Sequence, residues 1–179
     1  ISAAGALIHY LHETQKSALE HINSISPFYT HDYMALDQST VTSLELIQSS
    51  EGTRKNSLLN LLDESCTPMG ARRIREWIIK PLIDSEKIKA RLEIVSIFKS
   101  LPLNRQETRD LLKKIFDLER LLGKITLSVC NARDLVSLKN SIGTFPDLYK
   151  ALEKCEPHRL SAYLESWDNL EDLYDLIEK

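Results

Sequence analysis

Apolar residues recur at three- and four-residue steps through most of the chain, the spacing that lines them up on one face of an α-helix. Residues 3–16, AAGALIHYLHETQK, set Leu7, Tyr10, Leu11 and Thr14 on one side. The period lapses over 22–38, where Pro27, Phe28, Tyr29, Tyr33, Met34 and Leu36 predict a short extended stretch. It returns in MALDQSTVTSLELIQ, where Asp37 or Ser39 can cap a helix with Val41, Leu44 and Ile47 as its apolar stripe. SSEGTRKN reads as a loop, and SLLNLLDES after it as a short apolar helix.

The sharpest punctuation lies between Thr67 and Val95. Thr67 is placed to cap a helix with Pro68 at its first position, where a missing N–H costs nothing. Ile74, Trp77 and Ile78 are its expected buried stripe, and Gly70 in the first turn predicts close packing against another backbone. Pro81 stops the helix, because the residue before a proline is driven out of the α region. Asp84 caps the next helix, on which Ile88, Leu92, Val95 and Phe98 share a face. A helix from about Arg105 carries Leu111, Leu112, Ile115 and Leu118, with a break expected near Phe116–Asp117. Asn131 caps a helix bearing Leu135, Leu138 and Ile142, which Gly143 and Pro146 interrupt or end. The tail, RLSAYLESWDNLEDLYDLIEK, reads as one more helix. The pattern predicts an all-α bundle of about seven or eight helices, with a small extended or β element near residues 28–38.

Composition agrees. The 179 residues are 42% apolar and 27% charged, ordinary values for a globular domain, and 5 glycines and 6 prolines leave little for the many tight turns of an all-β fold. A net charge of −3 gives no global case for nucleic acid, although a local basic patch or a DNA-binding parent remains open. Cys66, Cys130 and Cys155 lie far apart without CxxC or Cys-His spacing, which reads as three reduced thiols of a cytosolic protein. No apolar run reaches the roughly 18–20 residues of a membrane span. The chain opens at Ile1 in what reads as mid-helix, so it is expected to be a piece of a longer protein.

Chemistry is hard to find. His9 and His12 share a helix face, but a metal pair needs a third ligand and none stands out. The acids of the tail read as a solvated face. There is no phosphate loop, GxGxxG or GxSxG. Arg72, Arg73, Arg75, Lys80, Lys87, Lys89 and Arg91 form a basic segment that could meet phosphate; the plainer reading is an exposed face paired to Glu76, Glu86 and Glu93. These residues describe a helical domain without an active site and without a cofactor of its own.

SLLNLLDESCTPMGARRIREWIIKPLIDSEKIKARLEIV resembles the signature stretch of the MutS family of DNA mismatch-repair proteins. The matching elements are Asp63, Thr67–Gly70, Arg72, Trp77, Pro81–Leu82, Asp84 and Arg91–Val95. AAGALIHYLHETQ resembles the helix entering that family's core from its connector domain. MALDQSTVTSLELIQ resembles the element preceding the signature, and FDLERLLGKITLSVCNARDLVSLKNSI the D-x-ER…ARDL segment, here Asp117, Glu119, Arg120 and Ala132–Leu135. The tail resembles the lever helix leading toward the clamp.

The resemblance implies residues 1–20 as the connector-to-core helix and 21–179 as the core or lever domain. The family's F-x-E mismatch wedge and its phosphate loop do not occur here, so the implied part is a stiff transmitter between DNA binding and ATP hydrolysis, with no catalysis of its own. Thr67, Pro68, Gly70, Arg72, Trp77, Asp117, Glu119 and Arg120 are the implied structural or interdomain residues. Arg72, Arg73 and Arg75 are candidates for weak DNA-backbone contacts. ATP and Mg would belong to the parent. Implied partners are mismatched double-stranded DNA, the ATPase, connector and clamp domains of the same chain, a second subunit and a MutL-type protein, in a bacterial cytoplasm at the nucleoid and without a membrane. The alternatives are a MutS paralogue acting outside mismatch repair and a free-standing helical adaptor for protein partners.

Overall fold

The computed structural model describes residues 2–14 and 32–179, leaving aside the side chains of Ser2, His12, Pro157, His158, Arg159 and Ala162. The chain divides into two units, Ile1–Thr30 and His31–Lys179. In the first, α1 (Ser2–Thr14) forms as the periodicity predicts, and Leu7 and Tyr10 on its apolar side are exposed.

The second unit holds α2 (Gln38–Ser43), α3 (Leu58–Leu62), α4 (Pro68–Ile79), α5 (Ser85–Ser100), α6 (Pro102–Leu112), α7 (Leu118–Thr126), α8 (Ala132–Ile142), α9 (Phe145–Glu153), α10 (Pro157–Leu164) and α11 (Glu171–Glu178). The fold is all-α, with more and shorter helices than the period alone predicts. The expected extended element survives in part. Residues 28–31 lie outside the described residues, while Tyr33 makes an isolated antiparallel bridge to Leu82. Around it Met34 N–H donates to the Pro81 carbonyl at 2.8 Å. No helix among the described residues is long and apolar enough to cross a membrane.

Helix starts follow their caps. Asp37, Thr67, Asp84 and Asn131 each accept backbone N–H groups two or three residues on, satisfying donors that a helix leaves orphaned. Asp134 completes a capping box with Asn131. Helix ends are less regular. α2 stops at Ser43 and Glu45 turns left-handed at φ 49°, leaving Leu44 exposed rather than on a buried stripe. The reason lies downstream: the Glu45 and Leu46 carbonyls accept from Leu58 and Leu59 N–H at 3.0 and 2.9 Å, supplying acceptors to the first turn of α3.

The core has two parts. Ile97, Cys155 and Leu160 pack with Ile94, Phe98, Leu101 and Leu164, joining α5 to α10. Leu121, Leu138 and Ile142 pack with Leu118, Phe145, Leu173, Tyr174 and Ile177, joining α7, α8 and α11. Of the face expected on α5, only Phe98 packs on the core. Ile94 and Ile97 face the core, and Ile88, Leu92 and Val95 face outward.

The tail is not one helix. It breaks between α10 and α11, where Leu170 is left-handed at φ 52°. Within the break Trp167 meets the ring of Phe145 edge-on at 5.9 Å and that of Tyr149 at 6.0 Å, and its Nε1–H donates to Asn169. Seating Trp167 on α9 and bringing α11 onto α8 requires the turn. The longest helix described is α5, at 16 residues.

Candidate functional site

The corner preceding α4 is assembled from short-range contacts. Thr67 Oγ1 accepts Gly70 N–H at 3.0 Å, and Pro68 opens the helix. A Cβ on Gly70 would lie 3.2 Å from Thr67 Oγ1 and 3.4 Å from Ser65 Cβ. The glycine thus makes room for its own cap, not for the backbone of another element as its position had implied. Asp63, whose side chain is only 7% exposed, accepts Ser65 N–H at 3.1 Å and pairs with Arg54. From α6, Arg109 Nη1 donates to the Glu64 carbonyl at 2.9 Å. The turn between α3 and α4 is thereby held from three directions.

One helical turn into α4, Arg72 reaches across to the start of α7. Its Nη1 and Nη2 donate to Asp117 Oδ2 and Oδ1 at 2.8 and 2.7 Å, a bidentate fork, while its Nε donates to Glu119 Oε2 at 2.8 Å. Asp117 is also the N-cap of α7, with Oδ1 accepting Arg120 N–H at 3.2 Å. One carboxylate therefore starts α7 and ties it to α4. The Arg72 guanidinium holds the Asp117 carboxyl below the usual carboxylate range, against the opposing effect of burial. The Asp117 and Glu119 carboxylates in turn push the guanidinium further toward its charged form.

The other candidates divide. Trp77 is 41% exposed rather than buried, and the Arg91 guanidinium lies 4.0 Å from its ring centroid. No residue of α4 is fully buried. Arg73 pairs with Glu76 at 2.9 Å, as Lys89 does with Glu86 at 2.8 Å, which fits the plainer reading of the basic segment. Of the three arginines offered as phosphate contacts, only Arg75 has no acidic partner among the described residues. The Arg120 side chain makes no ion pair there either; its charge adds to what lowers Asp117 and Asp134.

Several joining residues were not legible in the sequence. Lys124 meets Asp134 at 2.6 Å, tying α7 to α8, and Lys139 meets Glu178, tying α8 to α11. Ser141, wholly buried, accepts Phe116 N–H at 3.0 Å and donates to the Ser137 carbonyl at 2.8 Å, anchoring the chain between α6 and α7. Opposite charge was the only available signal for the ion pairs, and the chain has many charges. Ser141 carried no signal at all.

Cys66 and Cys130 are half-buried free thiols, and burial pushes the Cys155 thiol up, away from the reactive thiolate. Among the described residues no three His, Cys, Asp or Glu side chains converge as metal ligands. The surface cleft beside Gly143, Glu171, Tyr174 and Asp175 presents acids without a nucleophile or a base partner. What the junction shows is contact between elements: Arg72 of α4 with the start of α7, and Arg109 of α6 with the turn before α4.

The family model described as MutS domain III matches residues 39–179. The DNA mismatch repair protein MutS of Alkaliphilus metalliredigens is 45% identical over 179 residues, covering 99% of this chain and 20% of the relative. Its counterpart in Halothermothrix orenii is 45% identical over 180 residues, covering 100% of this chain and 20% of the relative. That of Alkaliphilus oremlandii is 46% identical, with 99% and 20% covered. The chain spans about a fifth of the length of the curated relatives it matches.

Proposed function

The chain belongs to the MutS family as its domain III, and from that premise we propose that it is the transmitting core of a mismatch-recognition ATPase. Residues 1–20 enter from the connector domain and 21–179 form the core. Mismatched duplex is read, and ATP with Mg bound and hydrolysed, in other domains of the parent. The parent works in the bacterial cytoplasm as a dimer with a MutL-type partner. The relatives' name, DNA mismatch repair protein MutS, supports the mismatch-repair reading; the ATPase, the dimer and the MutL-type partner are what the family resemblance implies.

The observation that carries the transmitting role is the Arg72 fork. Residues 45 positions apart in the chain are joined by a bidentate, directional contact. The acceptor is the same carboxylate that caps α7. A change in the angle of α4 must either drag the first turn of α7 or break the fork, which is how a packed element with discrete arrangements carries a signal. Thr67, Pro68 and Gly70 set where α4 starts, and Arg72, Asp117 and Glu119 set what it pulls; Arg120 lends its N–H and its charge.

The test is Arg72→Ala in the full-length protein, measuring basal ATP hydrolysis, duplex affinity and the stimulation of hydrolysis by a mismatch. The expected result is unchanged basal rate and affinity with stimulation reduced by about fivefold or more, the lower end of ordinary coupling. Unchanged stimulation would overturn the role. The 179-residue chain alone should bind paired and mismatched duplex equally weakly, and salt should abolish both.

A further inference from the structure

Two arginines cross between the same two corners of the fold. Arg72, just past the corner that opens α4, donates to Asp117 at the corner that opens α7. Arg109, in the last turn of α6 just before that second corner, donates back to the Glu64 carbonyl in the first. Each contact spans 45 positions of sequence. The backbone at Glu64 is neither helix nor strand, so its carbonyl has no ladder partner of its own. Arg109 makes no ion pair among the described residues; its guanidinium is given to that neutral oxygen.

The two corners are not equally anchored. The chain between α6 and α7 is fixed to α8, where buried Ser141 accepts Phe116 N–H. α4 has no fully buried residue, and its main helical neighbour is the short α3. Its far end meets the chain at Met34, whose N–H donates to the Pro81 carbonyl. The direction of its first turn is left to the arginines. A contact at Arg72 alone lets that turn pivot about the fork. A second contact at Glu64, on the other side of the Thr67 cap, removes the pivot.

We infer, on the reading of the Arg72 fork as a coupling contact, that Arg109 is its positioning residue: by holding the corner before α4 it aims Arg72 at Asp117, and coupling through the fork depends on it. The hydrogen bond is made to backbone, so it is the donor at position 109 that matters and not the side chain at 64.

The test uses the full-length protein and reads basal ATP hydrolysis, duplex affinity and stimulation of hydrolysis by a mismatch. Arg109→Ala should lower stimulation by about fivefold or more, as Arg72→Ala does. Basal rate and affinity should hold in both, which separates lost aim from lost fold. The lysine variants should then part company. Arg109→Lys keeps an N–H donor for the carbonyl and should stay within about twofold of wild type, the scatter of an ordinary surface substitution. Arg72→Lys cannot form a bidentate fork and should lose stimulation like Arg72→Ala. Stimulation kept in Arg109→Ala but lost in Arg72→Ala would overturn the role of Arg109 and leave the fork standing. Equal losses in Arg109→Lys and Arg109→Ala would overturn it too, since the effect would not follow the hydrogen bond. Stimulation kept in Arg72→Ala would sink the fork and its positioning residue together.

Discussion

Asp117 does two jobs, and two substitutions separate them. Its carboxylate caps α7 through Arg120 N–H and forks with Arg72 of α4. Asp117→Asn keeps an oxygen for the cap and loses the charge; Asp117→Ala loses both. Losing an N-cap costs about 1 kcal/mol, within a range of about 0.5–2. In a chain of this size 1 kcal/mol moves the melting temperature by about 2–4 °C. Asp117→Ala should therefore melt about 2–4 °C below Asp117→Asn.

The charge component behaves differently. The Arg72 side chain is 49% exposed and that of Asp117 18%, so added salt should narrow the gap between wild type and Asp117→Asn. Acid should close it. The folded carboxyl is held below its ordinary value, so the unfolded chain takes up the proton first as pH falls. The contribution is complete at neutral pH and is lost as pH drops through about 4 toward the lowered folded value. Thermal melts followed by far-UV circular dichroism, with amide exchange at Arg120, read both effects. Equal melting temperatures for the two variants would refute the cap. A gap as wide at about pH 3 as at pH 7 would refute the charged fork.

Ile97→Ala removes a side chain 1% exposed and should cost about 2–5 kcal/mol in urea unfolding. Leu92→Ala on the outward side of the same helix should stay within about 0.5 kcal/mol in the isolated chain. Ser141→Ala strands the Phe116 N–H beside α8 and should cost about 1–3 kcal/mol, a large loss for one oxygen atom, measured the same way. Gly70→Val presses its branched carbon toward Thr67 Oγ1 and should cost about the 1 kcal/mol of that cap, with faster amide exchange in the first turn of α4.

Much of the helix grammar was legible in the sequence. Asp37, Thr67, Asp84 and Asn131 cap where their residue types and positions predict, because a cap is an interaction across two or three residues. Pro81 ends α4 for an equally local reason. Of the candidate site, the residues could be named but not their pairing. Arg72 was offered to DNA phosphate and to structure alike, and only the fold brings it to Asp117 and Glu119, far along the chain. Arg54, Arg109 and Ser141 hold the same region and were not singled out, since a charge or a hydroxyl does not say which distant group it will meet.

The sequence by itself determined that the chain is helical, where most helices begin and which residues carry the family signature, because period, caps and proline steric limits all act within a few residues. Tertiary structure alone decided which stripe of α5 is inside. It also decided that α2 stops early to serve α3, that the tail breaks to seat Trp167 on α9, and that one arginine joins two helices. The physical reason is common to these cases. A repeating pattern shows which faces of a helix are apolar, but burial and pairing depend on which surfaces meet, and those lie tens of residues away.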